Sequence, residues 1–215
     1  MLEGCNAQWT RGWKLGKAAT GDETIVPHKG KRAGHLRQFV PRKPHNTGLK
    51  LYCLADSVHA YTLDVYLFTG KRGRLSRRST AAGGLTPSRV MYRWADPLPF
   101  GTAIIADSYF GSLEVAETLC ARRIPFIMLA KRSTRGVDEL KAQCVVQEIK
   151  SKVIHGGCKL CVFKNRPVGR KPVRVVPVIH NVKFSGRWFT HHLGYEIPPA
   201  IYAYRQLAGG VDTAN

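Results

Sequence analysis

Apolar positions along the chain fall in short runs separated by polar, basic stretches, and the period of each run sets the element it predicts. Thr20 to Val26 is β-compatible and stops at Pro27, where a cationic loop, "HKGKRAGHLRQFVPRKPHNTG", begins. "LKLYCLAD" (49–56) and "AYTLDVYLF" (60–68) are rich in β-branched and aromatic residues and flank "SVH", the pattern of a hairpin with a short turn. A second basic loop, "TGKRGRLSRRSTAAGG", leads into "TPSRVMYRWADPL", whose proline at the first turn predicts a short helix. "TAIIAD" (102–107) reads as a strand and "SLEVAETLCARR" (112–123) as a helix, with Leu113, Ala116 and Cys120 on one face. "IPFIMLA" (124–130) reads as a further strand. Strand, helix, strand in about 30 residues is the signature of a βαβ unit.

The remaining segments are less regular. Residues 1–18 carry little periodicity and read as an N-terminal extension to a core at 19–135. In residues 136–200 helix signals fade, and runs such as "CKLCVF" and "VRVVPVIH" alternate with Gly, Pro, Lys and Arg, which predicts a small β-rich insertion. Residues 201–215, "IYAYRQLAGGVDTAN", return to the core. The class expected is α/β.

Charge changes the picture. The chain has 34 Lys and Arg against 14 Asp and Glu, a formal net charge of +20. Such an excess on a folded domain calls for a polyanionic partner, and nucleic acid is favoured over a membrane surface because no long amphipathic basic helix is present. No apolar run approaches the roughly 18 residues of a membrane span, and the first residues lack the apolar stretch of a signal peptide. The expectation is a soluble intracellular protein without a membrane partner. The cysteines at 5, 53, 120, 144, 158 and 161 are scattered and suggest no disulfide framework.

Within this basic chain, Asp22 and Asp107 lie on or at the ends of predicted strands, where α/β sheets present side chains to ligands. Two converging carboxylates repel each other unless cations lie between them, and a pair of Mg²⁺ ions would resolve that repulsion while clamping a phosphodiester. An isolated Asp after a strand is more often a turn or capping residue. Asp56 in "LADS" and Asp64 in "LDVY" are similar in kind, and generic pattern reading leaves the choice open.

The stretch "GDETIVPHKGKRAGHLRQFVPRKPHNTGLKLYCLADSVHAYTLDVYLFTGKRG" resembles the core of piggyBac-type transposases, with its Asp-Glu pair, Pro-x-Lys-Pro segment, Gly-x-Lys strand and Asp-Ser hairpin. "ADSYFGSLEVAETLCARRIPF" is similar to the family's second aspartate and its following helix, and "AIYAYRQLAGGVDTAN" to its Gly-Gly-Val-Asp signature. The resemblance implies an RNase H-like mixed sheet flanked by helices. It also implies a metal site of Asp22, Asp107 and Asp212, separated by 107 − 22 = 85 and 212 − 107 = 105 residues, holding two Mg²⁺ or Mn²⁺ ions. A further family aspartate falls on Asn215.

On this reading the chain is a DNA transposase core that cleaves strands at transposon ends in the nucleus and transfers the new 3′-hydroxyl to target DNA; a homodimer is compatible. Because the resemblance stops just past Asp212, a truncated and weakly active core is expected. The alternative is a noncatalytic DNA-binding module derived from a transposase. Lys29, Lys31, Arg32, Arg42, Lys43, Lys71, Arg72, Arg74, Lys131 and Arg132 are the candidate DNA-binding cations. "CKLC" (158–161) has the spacing of half a zinc site, but its β context favours buried cysteines, and zinc is not expected.

Overall fold

The computed structural model describes residues 2–32, 34–41, 43, 45–69, 87–165, 173–184, 189–190 and 196–209. In chain order the first half contains α1 (Leu2–Gly12), β1 (Ala18–Pro27), β2 (Arg37–Phe39), β3 (Thr47–Asp56), β4 (Thr62–Leu67) and α2 (Pro87–Ala95). The second half contains β5 (Ala103–Ala106), α3 (Leu113–Ala121), β6 (Phe126–Leu129), α4 (Val137–Gln143), β7 (Ile149–Val153), β8 (Lys159–Lys164) and β9 (Val175–His180). Two short strands, β10 (Phe189–Thr190) and β11 (Glu196–Ile197), precede α5 (Pro199–Leu207).

Among the described residues, nine strands form one mixed sheet in the order β2-β3-β1-β5-β6-β9-β8-β7, with β4 also pairing β3. β1 is central to the arrangement. It runs antiparallel to β3 along one edge and parallel to β5 along the other, with Gly21 opposite Ala106. β5 and β6 are parallel and joined through α3, which confirms the βαβ unit. Ser112 caps α3, its hydroxyl accepting from the Val115 amide at 3.2 Å, so the turn after β5 passes directly into the helix.

Strand alternation divides the core between two faces. On one face Ala19, Tyr52, Leu54, Ile104 and Phe126 pack under α2, α3 and α4, which contribute Val90, Trp94, Val115, Leu119 and Leu140. On the other, Ala18, Ile105, Ile127 and Val178 pack under Ala200 and Ile201 of α5. Cys53, Ala55 and Val65 form a smaller cluster against Trp9 of α1. Among the described residues no helix is long and apolar enough to cross a membrane.

Three segments differ from the sequence expectation. The N-terminal extension, read as having little periodicity, contains α1. It is held by Trp9 and by one asparagine rather than by an apolar stripe: the Asn6 amide donates to the Val65 carbonyl at 3.0 Å and to Asp64, and accepts from the Val65 amide. The first basic loop contains β2, three residues long and mostly exposed, so no apolar period marks it. Within 136–200 lies α4, only seven residues and buried through Val137 and Leu140 alone. The β-rich segment itself joins the main sheet, because β9 pairs antiparallel with β6.

Asp56 and Asp64 have structural partners. Asp64 receives two hydrogen bonds from the Arg93 guanidinium, at 2.9 and 3.0 Å. Asp56 is fully buried and accepts from the amides of Gly16, Val58 and His59 and, at 3.4 Å, from the Trp13 indole. Burial alone would raise its carboxyl, but the amides of His59, Gly16 and Val58 outweigh that and bring it down to about 2. A folded-state value below the unfolded one contributes stability that is present above about pH 4 and lost as pH falls toward 2. The difference in unfolding free energy between wild type and Asp56→Asn is therefore expected to be about 2 kcal/mol or more near pH 6 and to shrink steadily below pH 4. Urea titrations at a series of pH values measure it; a pH-independent difference would contradict the account.

Candidate active site

Asp22 and Asp107 come together through the β1–β5 pairing. Gly21 and Ala106 are opposite one another in a parallel ladder, so the residues that follow them emerge side by side on one face. That face is the one shared by α1 and α5. The two aspartates open into a cleft of about 340 Å³ that is also lined by Thr20, Gly21, Tyr204, Arg205, Ala208 and Gly209. The Thr20 hydroxyl lies 3.3 Å from the Ala208 carbonyl, which ties the chain after α5 to β1 beside the cleft. Asp212 and Asn215 lie outside the described residues, as do Arg42, Lys71, Arg72 and Arg74.

Each aspartate is fixed by its own backbone. The Tyr109 amide donates to Asp107 Oδ1 at 2.9 Å, and the Phe110 and Gly111 amides donate to the Asp107 carbonyl, which closes a tight turn after β5. Gly111 is required there: a Cβ would lie 1.9 Å from the Leu129 carbonyl oxygen. The Glu23 amide donates to Asp22 Oδ1 at 2.7 Å, and Lys43 Nζ lies 3.2 Å from Asp22 Oδ2. Burial raises the Asp107 carboxyl above its ordinary range, the Tyr109 amide pulls it back, and the negative charge of Asp22 raises it again. The Asp107 carboxyl thus senses the charge of Asp22.

The reverse face of the same strands carries groups that the sequence reading did not single out. Glu23 alternates away from Asp22; burial raises its carboxyl, the charge of Lys50 opposes that, and Asp22 adds to it. Lys50 is buried, with its Nζ 4.4 Å from the Tyr109 ring centroid and 5.0 Å from that of Tyr52. The Tyr52 and Tyr109 hydroxyls are 3.0 Å apart. A lysine at an inward position of the alternating run "LKLYCLAD" was the available signal. Tyr204 and Arg205 gave no such signal, since only the packing of α5 brings them to the cleft.

Of the candidate cations, Lys29, Lys31 and Arg32 are exposed on the loop after β1, and Lys131 and Arg132 are exposed just beyond the C-terminal end of β6. The cysteines of "CKLC" separate. Cys158 packs with Cys120, sulfur to sulfur at 3.0 Å, whereas Cys161 Sγ lies 3.5 Å from His180 Nε2. Burial pushes both thiols up, Cys158 to about 12 and Cys161 to about 11. His191 and His192 lie outside the described residues.

Hard carboxylate oxygens on one wall of a shared cleft suit Mg²⁺ or Mn²⁺ chemically. Among the described residues they number two, and no group of three potential ligands is formed there.

A large mixed sheet flanked by helices, with Asp22 within β1 and Asp107 just past the end of the parallel strand β5, has the RNase H-like class of fold expected from the sequence. Its sequence matches the family described as Transposase IS4 over residues 1–215. The chain belongs to that family of piggyBac-type transposases. Among solved structures it is similar to a piggyBac transposase in a synaptic complex with hairpin DNA, with a TM-score of 0.77 and 20% sequence identity. The match covers 97% of this chain and 41% of that one, so the chain spans less than half the length of its structural relative. No curated protein gives a match.

Proposed function

We propose that the chain is the catalytic core of a metal-dependent DNA transposase, acting on transposon ends in the nucleus. The observation that carries the reading is the meeting of Asp22 and Asp107, far apart in sequence, at one cleft on adjacent parallel strands. Asp22, Asp107 and Asp212 would hold Mg²⁺ or Mn²⁺. When bound, the ions would supply the Lewis acid and the activated nucleophile for phosphodiester hydrolysis and strand transfer.

The chain's own contribution is positioning. The Tyr109 amide keeps the Asp107 carboxylate turned into the cleft, and the Glu23 amide does the same for Asp22. Arg205 on the cleft wall would draw a phosphate backbone across the carboxylates, and Lys131 and Arg132, exposed beyond the end of β6, would add to that attraction. Tyr204 contributes a flat, partly apolar wall.

The test is cleavage of a transposon-end duplex in Mg²⁺ or Mn²⁺ by wild type, Asp22→Asn and Asp107→Asn. Metal stabilisation is worth several kcal/mol, so each substitution is expected to lower cleavage by about 10³-fold or more with DNA binding retained. DNA bound with no cleavage by wild type would favour a noncatalytic DNA-binding module. Cleavage indifferent to both substitutions would exclude the site.

A further inference from the structure

Lys43 was expected to contact DNA, yet its ammonium lies 3.2 Å from Asp22 Oδ2, inside the carboxylate site. The path of the chain makes this placement specific. The loop between β2 and β3 is closed by a 2.8 Å hydrogen bond from the Val40 amide to the Asn46 carbonyl, and it enters β3 at Thr47. Asp22 pairs with Cys53, far along β3 from that entry point. Lys43 therefore lies back toward the sheet, at Asp22, and not beyond the entry to β3. From there its charge also bears on Asp107 and Glu23. Both side chains of the pair are about one-fifth to one-quarter exposed, at 24% for Lys43 and 20% for Asp22. Enough solvent therefore reaches the pair to screen it in part and to let a more highly charged partner enter.

We propose that Lys43 is an internal counter-cation for the cleft: it neutralises Asp22 before a divalent ion arrives, yields that carboxylate to the ion, and then binds a phosphate of the DNA strand. Two carboxylates that share a cleft are stabilised by a nearby positive charge, and a flexible lysine supplies it without blocking the site permanently. A divalent ion outcompetes the ammonium because it carries twice the charge and accepts several oxygen ligands. The displaced lysine remains within reach of a phosphate held at the same cleft. The inference rests on the reading of Asp22 and Asp107 as metal ligands.

The experiment separates the two ideas. Mn²⁺ binding to the 215-residue chain is measured by the EPR signal of free Mn²⁺, without DNA, for wild type, Lys43→Gln, Lys43→Met, Lys43→Arg, Asp22→Asn and Asp107→Asn. Lys43→Gln and Lys43→Met are expected to bind Mn²⁺ about three- to tenfold more tightly than wild type, and Lys43→Arg to stay near wild type. In Ca²⁺, the Gln and Met variants are also expected to bind duplex DNA about two- to tenfold more weakly. As a check needing no substitution, the ¹³Cε resonance of Lys43 in lysine-labelled wild type should move with half-saturation at the metal dissociation constant. Mn²⁺ affinity unchanged or weakened in both neutral variants, or a Lys43 resonance indifferent to metal, overturns the lysine inference while leaving the carboxylate site intact. Mn²⁺ binding that is absent, or unaffected by Asp22→Asn and Asp107→Asn, overturns the site reading and the lysine inference with it.

Discussion

Raising monovalent salt from about 50 mM to about 200 mM is expected to weaken duplex DNA binding by about 10³-fold, largely irrespective of sequence. The physical reason is counterion release. Each Lys or Arg that neutralises a phosphate frees a condensed cation, and the entropy of that release falls as bulk salt rises. The chain carries a formal charge of +20, and exposed cations lie on the loop after β1 at Lys29, Lys31 and Arg32 and beyond the end of β6 at Lys131 and Arg132. About six phosphate contacts would yield the stated loss. Replacing Lys131 and Arg132 by glutamine should lower the slope of log affinity against log salt by about two. Fluorescence anisotropy on two duplexes of unrelated sequence measures both quantities. A flat salt dependence, or a slope untouched by the double substitution, would show that these cations do not face DNA.

The second large effect concerns stability. Gly21→Ala is expected to cost about 3 kcal/mol, because the new Cβ would lie 2.2 Å from Trp94 Cζ3 and 2.5 Å from Cε3. Trp94 is fully buried under β1 and cannot turn aside, since Phe110 packs on it with ring centroids 5.0 Å apart. For a chain of this size the loss corresponds to a fall in Tm of roughly 6–12 °C. The clash must be relieved by moving either α2 or β1, and movement of β1 displaces Asp22, the next residue. Combining Gly21→Ala with Trp94→Leu should therefore cost at least about 1 kcal/mol less than the sum of the two single changes. Thermal melts of the four proteins provide the cycle. Strict additivity would mean that the methyl group is accommodated elsewhere.

Local patterning was informative where an element buries one regular stripe. The hairpin of β3 and β4, helices α2 and α3, and strands β5, β6, β8 and β9 all lie where the apolar runs place them. α1 escaped because it is attached through Asn6 and the single Trp9 rather than an apolar stripe, and hydropathy has no signal for a buried amide that completes a sheet edge. β2 and α4 escaped because three and seven residues are too few to establish a period. Asp22 and Asp107 were legible as candidates, yet Asp56 and Asp64 had the same local appearance. What separates them is the partners each finds: backbone amides and an indole for Asp56, a guanidinium for Asp64 and a shared cleft for the other two.

The sequence by itself determined the class of the fold, the strands that carry or adjoin the acidic residues, and the basic character that calls for a polyanion. These follow from side-chain period and charge, which act within a few residues or sum over the whole chain. Only the tertiary structure decided that Gly21 pairs with Ala106, that Lys43 returns to Asp22 rather than projecting outward, and that Lys50 is buried between Tyr52 and Tyr109. Each of these depends on which strands pair and how loops fold back over them, and no local period encodes contacts between segments so far apart along the chain.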